Sequence, residues 1–420
     1  MLRPYQQTAI DSVREAYASG AKRVVLVLPT GAGKTVIGRA AAEKHIAKGG
    51  GVLWLAHRRE LVDQAAAEMP GKFGLILAGR PRSDGPVQIA TIQTIVSREC
   101  RPPATMLVLD EAHHVAANTW RDVVSKYPNA HVLGLTATPE RGDGQPLGDI
   151  FDRLVTGPAV RELVTLGHLV EPEVIAPDKT STTLAMLPVK AWQTYADGRQ
   201  GLVFAKTVEQ SRRIADELTD AGFAAEHVDA ETPTPERELA ISKFRAGDVR
   251  ALCSVYVFTE GFDTLASVCM IARGCQHAST YLQMIGRIMR PSRDKRATVI
   301  DLMGSVHRHG LPADERTYSL DGRAISRLKA LPLWQCRACG YVLRERPDEC
   351  PRCGEVAPLI APPAVKEQRL DRVLRPGASR GEKQAALERL MNVARERGYN
   401  LGWAQHKFRA TFGHWPERGR

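Results

Sequence analysis

The chemistry-bearing stretch nearest the N-terminus is VVLVLPTGAGKT, residues 24–35. Five apolar residues lead into a glycine turn, and a helix-forming run follows. Gly31 and Gly33 admit backbone angles that a Cβ forbids, so the turn can aim successive N–H groups at phosphate oxygens. The helix opening behind it adds the partial positive charge of its N-terminus. Lys34 is then placed to reach the outer phosphates of a nucleoside triphosphate, and Thr35 to offer its hydroxyl to Mg2+. The strict eight-residue form of this pattern asks for glycine at position 28, where this chain has Leu28.

A second constellation is MLVLDEAHH, residues 106–114, which ends an apolar run with Asp110 and Glu111. In an open parallel sheet, ligands bind outside the carboxyl ends of the strands. The glycine turn lies on that same rim. Asp110 is therefore placed to hold Mg2+ through water, and Glu111 to orient or deprotonate an attacking water. Beside a cation both carboxylates can stay ionised, because its charge offsets their repulsion.

Two further clusters stand toward the C-terminus. In QMIGRIMR, Gln283, Arg287 and Arg290 recur at i, i+4 and i+7, one face of a helix. CRACG and CPRCG supply Cys336, Cys339, Cys350 and Cys353 in the spacing C-x2-C-x10-C-x2-C. Two knuckles presenting two thiolates each make a closed tetrahedral Zn2+ site, the reading preferred over a disulfide pair or an iron–sulfur cluster. With no position left for water, the site is structural, and a module this small needs its metal to stay folded. The glycine after each pair suits the tight turn. Cys100, Cys253, Cys269 and Cys275 have no ligand spacing and read as small buried hydrophobes in a reducing compartment.

These residues need a scaffold that presents strand ends side by side. Apolar runs at 24–28, 52–56, 87–90, 106–109 and 131–135 alternate with helical patterns such as RRELVDQAAAEM. That alternation predicts β-α units building a parallel sheet covered on both faces. A less regular stretch near 160–175 marks a boundary, and the alternation resumes at 201–205, 250–255, 267–272 and 296–301. The expected organisation is two α/β lobes (1–160 and 161–330), a cysteine module (331–358), a linker (359–378) and a basic helical module (379–420).

At 420 residues, 43% hydrophobic and 25% charged, the chain has an ordinary folded composition and the length for two or three domains. No apolar run approaches a membrane span, and MLRPYQQTAI lacks the apolar core of a secretion signal. A cytoplasmic location is expected, with no membrane partner. The net charge is +11, and residues 361–420, with 13 lysines and arginines against 6 acids, supply +7 of it. A basic balance suits a polyanionic partner and is also compatible with plain solubility.

Taken in order, the motifs resemble those of the nucleic-acid-stimulated ATPases of helicase superfamily two. PTGAGKT and DEAH carry the resemblance first. LRPYQ (2–6), LAHRRELVDQA (55–65), IATIQTI (89–95), GLTATPER (134–141), LVFAKTVEQS (202–211), FTEGFD (258–263) and YLQMIGRIMRP (281–291) follow the family's sequence of motifs across residues 1 to about 305. LRPYQ, TATPER and QMIGRIMRP look most like the DNA-directed branch of repair helicases and restriction-enzyme motors. The resemblance implies two tandem RecA-like lobes, ATP and Mg2+ as cofactors, and DNA as the partner, with RNA the lesser alternative.

The resemblance also implies roles. Gln6 would read the base, and Thr30, Gly31, Gly33, Lys34, Thr35, Asp110, Gly261 and Asp263 would hold the nucleotide and its metal. His113, Thr136 and Thr138 would couple the lobes. Arg58, Thr91 and Thr207 would touch the strand backbone, which carries no sequence information; helix capping is an equal reading for Thr207. Gln283, Arg287 and Arg290 would act from the second lobe. A guanidinium reaching the γ-phosphate is worth about 10³–10⁵ in rate, roughly 4–7 kcal/mol, and only when the lobes are closed. The family has a small polar or acidic residue near position 256, whereas this chain has Tyr256. Tyr256 either stacks on a base or packs, and it bears on whether the lobes couple fully.

In GYNLGWAQHKFRATFGHWPERGR the aromatics Trp403, Phe408, Phe412 and Trp415 are either a stacking platform for nucleic acid or the core of a small helical bundle. The tail resembles endings of phage and prophage helicases. The expected function is an ATP-dependent DNA helicase or translocase in replication, recombination or repair, with partner proteins of those processes. The alternatives are an RNA-directed helicase and a nucleotide-gated binding or annealing protein of weak ATPase. No nuclease motif is evident.

Overall fold

The computed structural model describes residues 2–114, 118–139, 146–259, 264, 266–292, 295–321, 333–357 and 379–416. The chain divides into two compact units, Met1–Ala357 and Pro358–Arg420. The linker expected at 359–378 lies outside the described residues.

The first unit holds two sheets. The first is built from β1 (Arg23–Val27), β2 (Val52–Ala56), β3 (Phe73–Ile76), β4 (Val87–Thr91), β5 (Met106–Asp110), β6 (His131–Thr136) and β7 (Arg153–Thr156). Their order across the sheet is β3-β4-β2-β5-β6-β1-β7, and every pairing is parallel. The second holds β8 (Glu173–Ile175), β9 (Gly201–Ala205), β10 (Ala225–His227), β11 (Ala251–Ser254), β12 (Val268–Ala272), β13 (Thr298–Asp301), β14 (Trp334–Gln335) and β15 (Tyr341–Leu343). Its order is β10-β11-β9-β12-β13-β8-β15-β14.

The long apolar runs are central strands because helices cover both faces of each sheet. β2 and β5 are buried along their whole length, as are β9 and β12. Side chains therefore divide by face: Leu53, Leu55, Leu107 and Leu109 pack on one side of the first sheet, and Val52, Trp54, Met106 and Val108 on the other. Parallel strands send all their carboxyl ends to one rim, so the turns after β1, β5 and β6 come together.

The cysteine module is not a separate domain. β15 pairs antiparallel with β8, so its hairpin with β14 continues the second lobe's sheet. The second unit is a helical hairpin, Arg380–Glu396 and Leu401–Phe412. Ser379 and Glu382 form a reciprocal capping box at its start. Phe408 is buried, Phe412 and Trp403 are half-buried and Trp415 is exposed, so its aromatics are shared between core and surface. Among the described residues no helix is long and apolar enough to cross a membrane.

Candidate nucleotide cleft and strand face

The turn after β1 leaves Gly31 and Gly33 at φ 88° and 80°, and the helix Lys34–Ile46 begins at once behind them. Its first-turn N–H groups have no partner inside the helix. They open onto a cleft of about 460 Å³. Gln6, Thr30, Gly31, Gly33, Lys34, Thr35, Asp110 and Glu111 line it from the first lobe, and Arg287 and Arg290 from the second. A wider depression of about 1090 Å³ lies between the helices Pro4–Ala18 and Lys34–Ile46, but it has neither the glycine turn nor the paired carboxylates.

Gln6 sits on the glycine turn. Its Oε1 accepts from the Arg3 amide at 3.0 Å and its Nε2 donates to the Ala32 carbonyl at 3.4 Å. A Cβ at position 33 would lie 2.6 Å from the end of the Gln6 side chain, and φ 80° there strains any residue with a side chain, so glycine suits the position. Leu28, where the strict pattern has glycine, is fully buried and serves the core instead.

Lys34, Asp110 and Glu111 are at most 9% exposed. Lys34 Nζ stands 3.7 Å from Glu111 Oε1, and the Glu111 amide donates to Asp110 Oδ1 at 3.0 Å. Glu111 adopts φ 49°, left-handed for a residue with a side chain. Such a conformation costs about 1–3 kcal/mol and persists where the surroundings enforce it. Glu111 Oε2 and Thr138 Oγ1 are buried and make no hydrogen bond. A loop only glycine can form, a cation at its end, paired carboxylates and unsatisfied acceptors fit a nucleoside triphosphate with a divalent cation.

One polar chain runs from Glu111 into the second lobe. His113 Nδ1 lies 3.5 Å from Glu111 Oε2 and 3.1 Å from Thr136 Oγ1, while His113 Nε2 lies 3.4 Å from Gln283 Nε2. Thr136 donates to the Thr138 carbonyl at 2.8 Å, so its oxygen is left to accept. With a proton on Nδ1 the ring can donate to Thr136 Oγ1 while Gln283 donates to Nε2.

The helix Ala278–Gly286 brings the second lobe onto the glycine turn. A Cβ at Gly286 would fall 2.3 Å from Thr30 Cβ, and one at Gly31 would lie 3.6 Å from Arg290 Cγ. Arg287 is buried. Burial lowers the Arg290 guanidinium's ordinary pKa, partly opposed by Glu68, and pushes Lys295 down to about 8, with the Arg290 charge adding to the effect. Gly261 and Asp263 lie outside the described residues. His168, Gln64 and Glu68 also line the cleft and were not anticipated. Gln64 and Glu68 share one helix face with Leu61, a spacing that could have revealed them.

The lobes meet at a second seam. Arg237 Nη1 donates to Glu60 Oε1 at 2.5 Å, and Arg58 Nη1 to the Tyr256 carbonyl at 3.3 Å. Arg58 precedes the helix Arg59–Glu68. Thr91 and Thr207 cap the helices Ile92–Ser97 and Val208–Asp220 through their hydroxyls. All three stand at the carboxyl ends of strands.

In the cysteine cluster, Cys336 Sγ lies 3.6 Å from Cys353 Sγ, Cys339 Sγ 3.8 Å from Cys350 Sγ, and all four sulfurs lie within 4.8 Å of one another. All four are free thiols. A Zn–S distance of about 2.3 Å in a tetrahedron puts sulfurs about 3.8 Å apart, so the donor set fits zinc. Arg352, between the second pair, lies 3.5 Å from Glu173 and 5.2 Å over the Tyr195 ring, which ties the cluster to the second lobe.

Residues 1–141 match the family described as type III restriction enzyme, res subunit, and residues 179–292 match the helicase conserved C-terminal domain. A 51.5 kDa protein of a Lactococcus phage (isolate 7-9) is 29% identical over 79% of this chain and 74% of its own. The DNA 3'-5' helicase XPB of Mycobacterium tuberculosis is 27% identical over 70% of this chain and 58% of its own. The chain spans about half to three fifths of the length of most of these curated relatives. Among solved structures, Mycobacterium smegmatis helicase Lhr bound to ssDNA and AMP-PNP superposes with a TM-score of 0.56 at 16% identity, covering 76% of this chain and 49% of that one. That likeness concerns the fold.

Proposed function

We infer that this superfamily-two helicase, identified as one by its two matching motor domains, is an ATP-dependent motor that moves along or remodels DNA. The observation that carries the reading is the cleft itself: the glycine turn and carboxylates of one lobe face Arg287 and Arg290 of the other. Helix N–H groups, Lys34 and Thr35 hold the phosphates, with Thr35 and Asp110 toward the metal. Bound Mg2+ supplies charge neutralisation at the phosphates. Glu111 orients or deprotonates the attacking water. Arg287 and Arg290 stabilise charge developing in the transition state, so hydrolysis requires closed lobes and the loss of the γ-phosphate weakens closure. Gln283, His113, Thr136 and Thr138 carry that change between the lobes.

DNA is favoured over RNA because relatives matching most of the chain are named DNA helicases and translocases. Those names give a 3'-5' direction, which we extend to this chain. The four cysteines hold a structural zinc ion. The test is the ATPase rate without nucleic acid and with single-stranded DNA, forked DNA or RNA, for wild type and Glu111→Gln. Strong stimulation by DNA, lost in the variant by a factor on the order of a hundred or more, is expected. Stimulation by RNA alone would redirect the motor to RNA. DNA binding with no turnover in either protein would reduce it to an annealing or binding role.

A further inference from the structure

Tyr256 is the residue at which this chain leaves the family pattern, and its setting is unusual. It is 44% exposed, and no other Tyr, Trp or Phe among the described residues of the first unit is exposed. An aromatic ring in water forfeits the burial that normally stabilises it. The ring is nevertheless held. The Arg273 guanidinium lies 4.0 Å from its centroid, donates to its hydroxyl and donates to the Val255 carbonyl at 3.3 Å.

The topology explains the meeting. Tyr256 follows β11 and Arg273 follows β12, which flank β9 on either side. The pair therefore stands beside the end of β9, where Lys206 and Thr207 open the next helix. Gln210 ties this corner together, accepting from the Lys206 amide at 2.8 Å and donating to the Ala272 carbonyl at 3.3 Å. From the first lobe, Arg58 reaches the Tyr256 backbone carbonyl. An exposed ring held by Arg273, with Arg58 on its backbone, thus stands on the rim where the strand contacts were expected.

We propose that Tyr256, held by Arg273, is a base-stacking platform for a single nucleic-acid strand at the junction of the lobes. Every base has a π-face, so stacking grips a strand without reading its sequence, as a motor requires. The arginine both stiffens the ring and adds a cation beside the strand. Cations alone would bind backbone; a ring held among them engages bases as well. This inference rests on the DNA-motor reading and adds how the strand is held.

The test compares binding of oligothymidylate with binding of an abasic strand of the same length, for wild type, Tyr256→Leu and Tyr256→Phe. Wild type should bind the base-bearing strand more tightly. Tyr256→Leu should lose roughly fivefold to a hundredfold on that strand, the worth of one stacked base, and little on the abasic one. Tyr256→Phe should restore the difference. Equal weakening on both strands, or none on either, would overturn the platform while leaving the motor reading intact. Wild type that binds neither strand would overturn both.

Discussion

Gly286 shows how a single side-chain atom controls this site. Arg287 and Arg290, which follow the helix Ala278–Gly286, can reach a γ-phosphate only if the end of that helix lies against the glycine turn. At Gly286 a Cβ would be 2.3 Å from Thr30 Cβ, well inside van der Waals contact. Gly286→Val should hold the lobes apart. Fluorescent-nucleotide binding should persist, since Lys34 and the helix N–H groups are untouched. Turnover should fall by a factor on the order of a hundred or more, because the arginine term is lost. Unchanged DNA-stimulated turnover would show that closure tolerates the extra bulk. The residue types at this site were legible in advance. Lys34, Asp110, Glu111, Arg287 and Arg290 line one cleft, but the helix ends at Gly286, so Arg287 and Arg290 follow it and do not share the helical face with Gln283 that their spacing suggested. The left-handed Glu111 and the tight approach at Gly286 were not legible, because both depend on what packs from elsewhere.

At the scale of elements, the seam around Arg237 depends on the loop after β10. Ser211 Oγ lies 2.8 Å from His227 Nδ1, and His227 Nε2 lies 3.0 Å from Asp229 Oδ2. This looks like a hydrolytic triad, but Ser211 is fully buried, so the chain is a brace. Asp229 accepts from the Glu231 and Thr232 amides and from the Thr232 hydroxyl, and its carbonyl receives Arg237, which reaches Glu60. The His227 hydrogen bond and those from the Thr232 hydroxyl and amide, partly opposed by burial, hold the Asp229 carboxyl below the usual carboxylate range. A depressed carboxylate contributes stability above its unfolded pKa, about 3.9, and that contribution is lost as pH falls through the folded value. Asp229→Asn should therefore lower the melting temperature at pH 7. The gap to wild type should shrink steadily below about pH 4. A gap independent of pH would refute the assignment. The long strands were predicted to within a residue or two. β3, β7, β8, β10, β14 and β15 were missed, since short edge strands such as Ala225–His227 are half-buried and lack a continuous apolar run.

At the scale of the molecule, the cysteine cluster belongs to the second lobe. Its hairpin continues the second sheet through β15 and β8, and Glu173 of β8 binds both Arg296 and Arg352. Loss of the metal should therefore be felt in the second lobe. Chelation should lower the melting temperature of the second lobe by roughly 5 °C or more, since each kcal/mol is worth about 2–4 °C for a lobe of 150–250 residues. Amide exchange should rise in Tyr341–Leu343 and Glu173–Ile175 together. Purified protein with no zinc by elemental analysis, or exchange confined to the hairpin, would contradict this.

Sequence alone determined the type of scaffold and which residue types stand at its strand ends. Glycine, lysine and paired carboxylates at fixed distances from apolar runs dictate local conformation, and local conformation needs no partner to be read. Tertiary structure decided which groups meet. It joined strands far apart in the chain into two rims, set Arg290 against Gly31, lined up polar groups from Glu111 through His113 to Gln283, and laid Arg273 over Tyr256. Those contacts depend on the order of strands across a sheet and on how two lobes close, and no spacing along the chain encodes either.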